Sequence, residues 1–190
     1  MLLPFSSEVR FGDRIAIIGP NGIGKSHLVR AICGQETRPI QGEVQLGARV
    51  IVGYFDQRGD TEKLLGKNPV DAFRERGIPN ERIMPILARY GLASRRDVPF
   101  QFLSGGQQAR LQLALMETSG ANLLVLDEPT DNLDVISSEE LEAALEMIQG
   151  TVIAVSHDRW FLQSCFKRFW RVNEGGKVEE LSELPANYQF

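Results

Sequence analysis

Cysteine is scarce in this chain: two among 190 residues, Cys33 and Cys165. They lie far apart in runs with helical spacing and form no C-x-x-C, so the favoured reading is two free, buried thiols in a reducing compartment. No apolar run approaches the ~20 residues of a membrane span, so any membrane part would belong to another polypeptide. Met1-Leu2-Leu3-Pro4-Phe5 is too short and uncharged to read as a signal peptide, which makes a cytoplasmic location the expectation. Neither sign of charge dominates. A net charge of −4 gives no indication of a nucleic-acid-binding surface. There is no internal repeat and no low-complexity segment. What remains is ordinary globular material, 43% hydrophobic and 24% charged. It suffices for a real core in one domain with a subdomain.

The stretch that stands out is Gly19-Pro20-Asn21-Gly22-Ile23-Gly24-Lys25-Ser26, which reads G-x-x-x-x-G-K-S. Before it, Arg14-Ile15-Ala16-Ile17-Ile18 is short, apolar and β-branched, a buried strand. After it, residues 27–33, starting at His27, have helical spacing, with Gly34 as C-cap. Strand, glycine loop and helix is the context a phosphate-binding loop requires. The glycines let the backbone curl with its N–H groups inward, and the helix N-terminus adds positive potential. Lys25 would reach the β- and γ-phosphates, and Ser26 would ligate Mg²⁺. The competing reading, a glycine turn with a solvated lysine, accounts poorly for all eight positions and both flanks.

Elsewhere the pattern predicts an α/β core interrupted by helices. Val9, Phe11 and the turn at Gly12-Asp13 suggest a strand end near the N-terminus. Residues 42–47 alternate like an exposed strand with a turn, and 49–55 form a β-like run closing on Asp56-Gln57. From about 58 to 118 the spacing becomes helical, at 70–74 and 81–91, punctuated by Pro79, Pro85 and Pro99. The α/β pattern resumes with a buried strand at 123–126, an amphipathic helix at 138–149, a strand at 151–155 and a short helix at 158–167. A hairpin at 169–172 and 177–181 flanks Gly175-Gly176. The expected division is one domain over 1–190: an α/β core, about 1–57 and 119–181, with a helical subdomain at about 58–118.

Two further stretches carry chemistry. Leu123-Leu124-Val125-Leu126-Asp127-Glu128 is an apolar strand ending in two acids, the Walker B pattern. Asp127 would hold the Mg²⁺ shell opposite the phosphate loop, and Glu128 could polarise an attacking water. Alone the pattern is weak, because strands often end in acids; downstream of a phosphate loop it is strong. Leu103-Ser104-Gly105-Gly106-Gln107 precedes a helical run at 108–116. Its serine and glycines at a helix start offer a second anion site. An ordinary serine cap is the bland alternative.

With these motifs in this order, the chain resembles the nucleotide-binding cassette of ATP-binding cassette (ABC) proteins over nearly its whole length. The resemblance implies a P-loop NTPase fold: a mostly parallel sheet, a small antiparallel β portion and an inserted helical subdomain. It implies ATP and Mg²⁺ as ligands. Asn21, Gly22, Ile23, Gly24, Lys25, Ser26 and His27 would cradle phosphate, with Ser26, Gln57 and Asp127 around the metal. Gln57 looks like the Q-loop glutamine, Glu128 like the catalytic glutamate and His157 like the switch histidine. Without the resemblance, a lone histidine is more often structural. Asp134 looks like the D-loop aspartate that faces a dimer interface. The family sets Ser104, Gly105, Gly106 and Gln107 against the ATP of a second cassette. Two cassettes, on the same or different chains, would close head-to-tail for hydrolysis.

Within the family the chain is most similar to the ABC-F branch, proteins with two cassettes that work on ribosomes and include antibiotic-resistance members. The similarity rests on Ser156-His157-Asp158-Arg159-Trp160-Phe161-Leu162, on Gly53-Tyr54-Phe55-Asp56-Gln57 and on the run from Asp127 to Asp134. In that run Asp131-Asn132 replaces the more usual Asn-His, a variant found mainly in resistance-type members. The short gap from Gln57 to Leu103 leaves no room for an arm insertion, as in a C-terminal cassette, and 97–102 lacks the E-x-G element of many exporters. The inter-cassette linker is absent, as is the upstream aromatic that stacks on adenine; Phe5 is not expected to replace it. A ribosome would be met through parts of a longer protein. A transporter's ATPase subunit and an ATP-binding regulatory domain with little turnover are the alternatives.

Overall fold

Apolar runs with no polar alternation belong in strands covered on both faces, and three such runs lie side by side in the sheet. The computed structural model describes residues 2–35, 42–55 and 61–185. Among them the strands are β1 (Arg14–Ile18), β2 (Val52–Phe55), β3 (Leu123–Asp127), β4 (Thr151–Val155), β5 (Arg168–Val172) and β6 (Val178–Leu181). Their order across the sheet is β2-β3-β4-β1-β5-β6. Every neighbouring pair is parallel except the antiparallel hairpin β5–β6. The α/β architecture with a small antiparallel part is therefore the one the sequence predicts.

Alternate residues of each strand feed two cores. Ile15, Ile17, Val125, Ile153, Val155, Trp170 and Val172 pack with Val29 and Ile32 of α1 (Lys25–Ile32). Ala16, Ile18, Leu124, Leu126, Val152, Ala154 and Phe169 face the opposite side. There they meet α5 (Gly105–Thr118), α6 (Val135–Glu146) and α7 (Arg159–Cys165). Between β2 and α5 lie α2 (Thr61–Leu64), α3 (Pro69–Glu75) and α4 (Asn80–Arg89), followed by 3-10 turns at Ala93–Arg95 and Phe100–Phe102. The middle of α5 is buried all round, from Leu111 to Met116, as expected of a helix packed between a sheet and other helices.

Several local expectations need correction. Residues 42–47 form no strand: Val44 and Leu46 are exposed and the segment joins no sheet. Alternation marks a strand only when a neighbour takes up its backbone groups. The same holds for Val9 and Phe11, which lie in no strand; Phe11 is exposed beside the turn at Gly12. The β-like run at 49–55 is a strand only over Val52–Phe55. Helix α6 begins at Val135, three residues before the expected start, because the Asp134 carboxylate accepts the Ser137 N–H at 2.8 Å. Both cysteines are free. Burial pushes each thiol up to about 12, so neither is a thiolate at neutral pH.

Buried Arg110 on α5 joins the helices to one another. Its guanidinium donates to the Tyr90 carbonyl at the end of α4 (2.9 Å), to the Gly106 carbonyl (3.3 Å) and to Glu140 on α6 (2.6 Å). Arg110→Ala strands the Tyr90 carbonyl and leaves a cavity. Glu140 is partly solvated and regains water, so the expected loss is about 2–3 kcal/mol. Denaturant unfolding of the variant against the parent measures it.

Candidate functional site

The parallel register brings three strand ends to one rim. Ile17 pairs with Val155, and Val155 pairs with Asp127 on its other side. The loop after β1, the Ser156-His157 turn after β4 and the Asp127-Glu128 pair at the end of β3 are therefore adjacent. Carboxyl ends of parallel strands are where such sheets bind ligands.

The loop 19–26 has the backbone that its glycines permit. Gly22 and Gly24 have φ of +76° and +113°, and Gly24 is the N-cap of α1. A Cβ on Gly19 would lie 2.5 Å from the Val172 carbonyl oxygen, so no side chain fits where the loop leaves the sheet. Asn21 and Gly22 are exposed, and Ile23, Ser26 and His27 are half-buried. Lys25 is buried; its Nζ donates to the carbonyls of Gly19 (2.8 Å) and Pro20 (3.1 Å). Burial lowers its pKa, while the charges of Glu128 and Asp127 pull it back up. His27 Nδ1 lies 3.3 Å from an Arg30 Nη2.

Ser26 Oγ donates to Asp127 Oδ1 at 3.3 Å, and the Tyr54 hydroxyl lies 3.5 Å from Oδ2. Two hard oxygens converging beside a phosphate loop suit Mg²⁺, which takes one or two protein oxygens and completes its shell with water and phosphate. Gln57, the third expected ligand, lies outside the described residues.

Glu128 has φ +49°, the left-handed region, in a residue other than glycine. Its N–H donates to the Val155 carbonyl (2.9 Å), and its carbonyl accepts the Asp131 N–H (3.2 Å). The carboxylate meets His157 twice. The His157 main-chain N–H donates to Oε2 at 3.2 Å, and the ring Nε2 lies 3.1 Å from Oε1. Burial, then the nearby Asp131 charge, raises the Glu128 pKa to about 7, against the pull of Lys25. Burial and Lys25 lower that of His157. Both shifts favour a neutral pair close to physiological pH.

The second group of candidates gathers elsewhere on the rim. Ser104 caps α5 in a reciprocal box: its hydroxyl accepts the Gln107 N–H (3.3 Å), and Gln107 Oε1 accepts the Ser104 N–H (3.1 Å). A Cβ on Gly106 would come within 2.6 Å of Ser137 Cβ, and one on Gly105 within 2.8 Å of Leu133 Cδ2. Close packing of α5 on α6 therefore needs Gly106, whereas the Leu133 side chain could yield at Gly105. Asp134 caps α6, and two hydrogen bonds from Ser137 hold its carboxyl below the usual range. Phe5 packs edge-on against Trp170, ring centroids 5.5 Å apart.

Sequence reasoning missed Tyr54, Thr130 and Ser156. The Thr130 and Ser156 hydroxyls lie 3.1 Å apart, buried. They stand within the runs at 53–57, 127–134 and 156–162, but nothing in those runs shows these contacts, because each depends on which strands are neighbours.

A glycine phosphate loop on one strand, and paired acids on the next strand but one, define a P-loop NTPase. The family model described as ABC transporter matches residues 2–131, and the chain belongs to that family. Its relatives include an antibiotic resistance protein of Mycobacteroides abscessus, 44% identical over 201 aligned residues that cover 95% of this chain and 36% of that protein. ABC transporter F family member 2 of Arabidopsis thaliana is 41% identical over 94% of this chain and 26% of its own length. ATP-binding protein Uup of Escherichia coli is 38% identical over 92% and 28%. The chain thus spans about a quarter to a third of the length of these relatives. A solved metal-chelate type ABC transporter in an inward-facing conformation shares the fold, with TM-score 0.74 and 23% identity, covering 92% of this chain and 74% of that one. Among the described residues, no helix is long and apolar enough to cross a membrane.

The raised pKa of Glu128 carries a test that needs no nucleotide. A carboxyl with a folded pKa of about 7 against an ordinary 4.5 destabilises the fold once both states are ionised. The penalty is absent below the unfolded pKa, grows between about 4.5 and 7, and is complete above. Glu128→Gln should be more stable than the parent at pH 8, by at most about 3 kcal/mol. The difference should shrink towards pH 5, as read by thermal melting across that range.

Proposed function

We propose that the chain is an Mg-ATP-hydrolysing cassette, the C-terminal one of an ABC-F protein acting on the ribosome in translation or antibiotic resistance. The observation that carries the ATPase reading is the Glu128–His157 pair, seated on the same rim as Lys25, Ser26 and Asp127. The ABC-F assignment rests on the relatives' names and on the S-H-D-R-x-F-L and D-E-P-T runs. In this reading residues 58–118 are the helical insert of a single cassette.

The chain's groups divide the work. The loop N–H groups and Lys25 receive phosphate charge; Lys25 exchanges its two carbonyl partners for phosphate oxygens. Ser26 and Asp127, with Gln57, would hold Mg²⁺. The ion would supply Lewis-acid neutralisation of the phosphate oxygens. Glu128 takes the proton of the attacking water, a task suited to a base with a pKa near 7. His157 keeps that carboxylate oriented and faces the γ-phosphate side. Ser104 and Gly106 serve the site of a second cassette. Large exposed apolar side chains at Phe102, Val135, Ile136 and Trp160, each at least 69% exposed, stand at the starts of α5, α6 and α7. They support a protein partner on this face.

ATPase rate measured against protein concentration tests the reading. The rate should rise faster than linearly, since two cassettes must meet, and Glu128→Gln should abolish turnover while preserving ATP binding. Turnover by Glu128→Gln at the parental rate would remove Glu128 from the mechanism. The parental rate should also rise about tenfold per pH unit below about 7 and level off above, as Glu128 loses its proton. A flat profile from pH 5.5 to 8.5 would contradict its role as base.

A further inference from the structure

Three helices begin side by side on the rim; α5 packs on α6, and hydrogen bonds join α6 and α7 to the Glu128–His157 pair. Helix α5 meets α6 where Gly106 stands against Ser137. Helix α6 meets α7 through the Ser138 hydroxyl, which donates to Asp158 Oδ2 at 3.3 Å. Asp158 uses its other oxygen to cap α7, accepting the N–H groups of Trp160 (2.9 Å) and Phe161 (3.1 Å). Its own N–H donates to Ser156 Oγ at 3.0 Å, closing a turn around His157. Ser156 is fully buried, and its hydroxyl meets Thr130, two residues beyond Glu128. Held in this turn, His157 presents both its main-chain N–H and its ring to the carboxylate.

We infer that Asp158 is a positioning residue for the Glu128–His157 pair, and that the chain Ser138–Asp158–Ser156–Thr130 ties the seating of that pair to the signature helix α5. A helix cap needs only one carboxylate oxygen. Here the second oxygen is bonded to a different helix, and the residue's main-chain N–H fixes the His157 turn. A shift of α6 against α7 must therefore either break the Ser138 bond or carry Asp158, and with it the turn, along. The relay is a property of this chain alone. Its consequence, that a partner pressing on Ser104–Gly106 would reset the base, rests on the ATPase reading above. The charged groups facing His157 are Glu128 just beyond β3, Lys25 on α1 and Asp131 in the following turn, with Asp158 beside it in sequence.

The chain contains two histidines, His27 and His157, so ¹⁵N imidazole spectra of the full chain are simple, and His157→Asn assigns them. At pH 8.5 the parent should show an exchange-protected His157 ring Nε2–H. Ser138→Ala, which leaves the α7 cap in place, should lower its intensity at least twofold, and Asp158→Ala should abolish it. Asp158→Asn should retain it, because the amide oxygen still caps α7 and the amide N–H can donate to Ser138. Gly106→Ala, which pushes α6 from α5, should lower it as well. Ser119→Ala removes a hydroxyl bond to the Leu115 carbonyl outside the relay (2.8 Å). It should leave the signal intact whatever it does to melting temperature. An absent signal in the parent, or one unchanged in folded Ser138→Ala, overturns the inference. So does equal loss in Ser119→Ala. ATP binding, measured separately on the parent, decides the ATPase reading: no binding with the spectral pattern intact would sink that reading and leave the relay standing.

Discussion

The insertion of β4 between β1 and β3 is the constraint on which the rest depends. Were β1 and β3 direct neighbours, the phosphate loop would lie against Asp127 and nothing could reach Glu128 from the side. With β4 between them, in register through Ile17, Val155 and Asp127, the Ser156-His157 turn enters the gap. The spacing between strands, about 4.8 Å each, leaves room between loop and acids for a ligand's phosphates and a metal. Side chains from all three ends still converge across it.

That rim holds its groups in unfavourable states, and neighbouring bonds sustain them. Glu128 keeps a left-handed backbone, which costs of order 1 kcal/mol or more for a non-glycine residue. The cost is offset by main-chain bonds to Val155 and Asp131 on either side. Its carboxyl is held near neutrality by burial and by Asp131. Lys25 is buried, and its Nζ donates to its own loop's carbonyls within the fields of the two acids.

What could be read in the sequence was whatever is encoded locally. Buried strands announce themselves by apolar runs, and the expected 14–18 and 151–155 coincide with β1 and β4. The hairpin around Gly175-Gly176 was equally plain, since glycines at a turn need no distant partner. Residues 42–47 have the alternation of a strand, but among the described residues no strand pairs with them. Helix α6 starts earlier than its amphipathic pattern indicates, because Asp134, four residues upstream of Ser138, caps it. In the candidate site, the motif residues were legible as types in order. The grip of His157 on Glu128, the hydroxyl contact between Thr130 and Ser156, and the Tyr54–Asp127 approach were not. They exist because Val155 pairs with Asp127 and Phe55 with Leu126, and register cannot be read from either strand alone.

The signature glycines make a separate argument about why two surfaces should move together. Gly106 is needed for packing within this chain, against Ser137, before any role towards a second cassette is considered. The same small residue that would let a partner's phosphate approach the α5 N-terminus also lets α5 lie directly on α6. A ligand drawing on the N–H groups at that terminus would pull on a helix with no slack against its neighbour, because close-packed contacts transmit displacement instead of absorbing it. Helix α6 is in turn bonded to Asp158, beside His157. In the ATPase reading, the surface that senses a partner's nucleotide and the pair that acts on this chain's own are thus ends of one packed unit, and neither can be repositioned without the other.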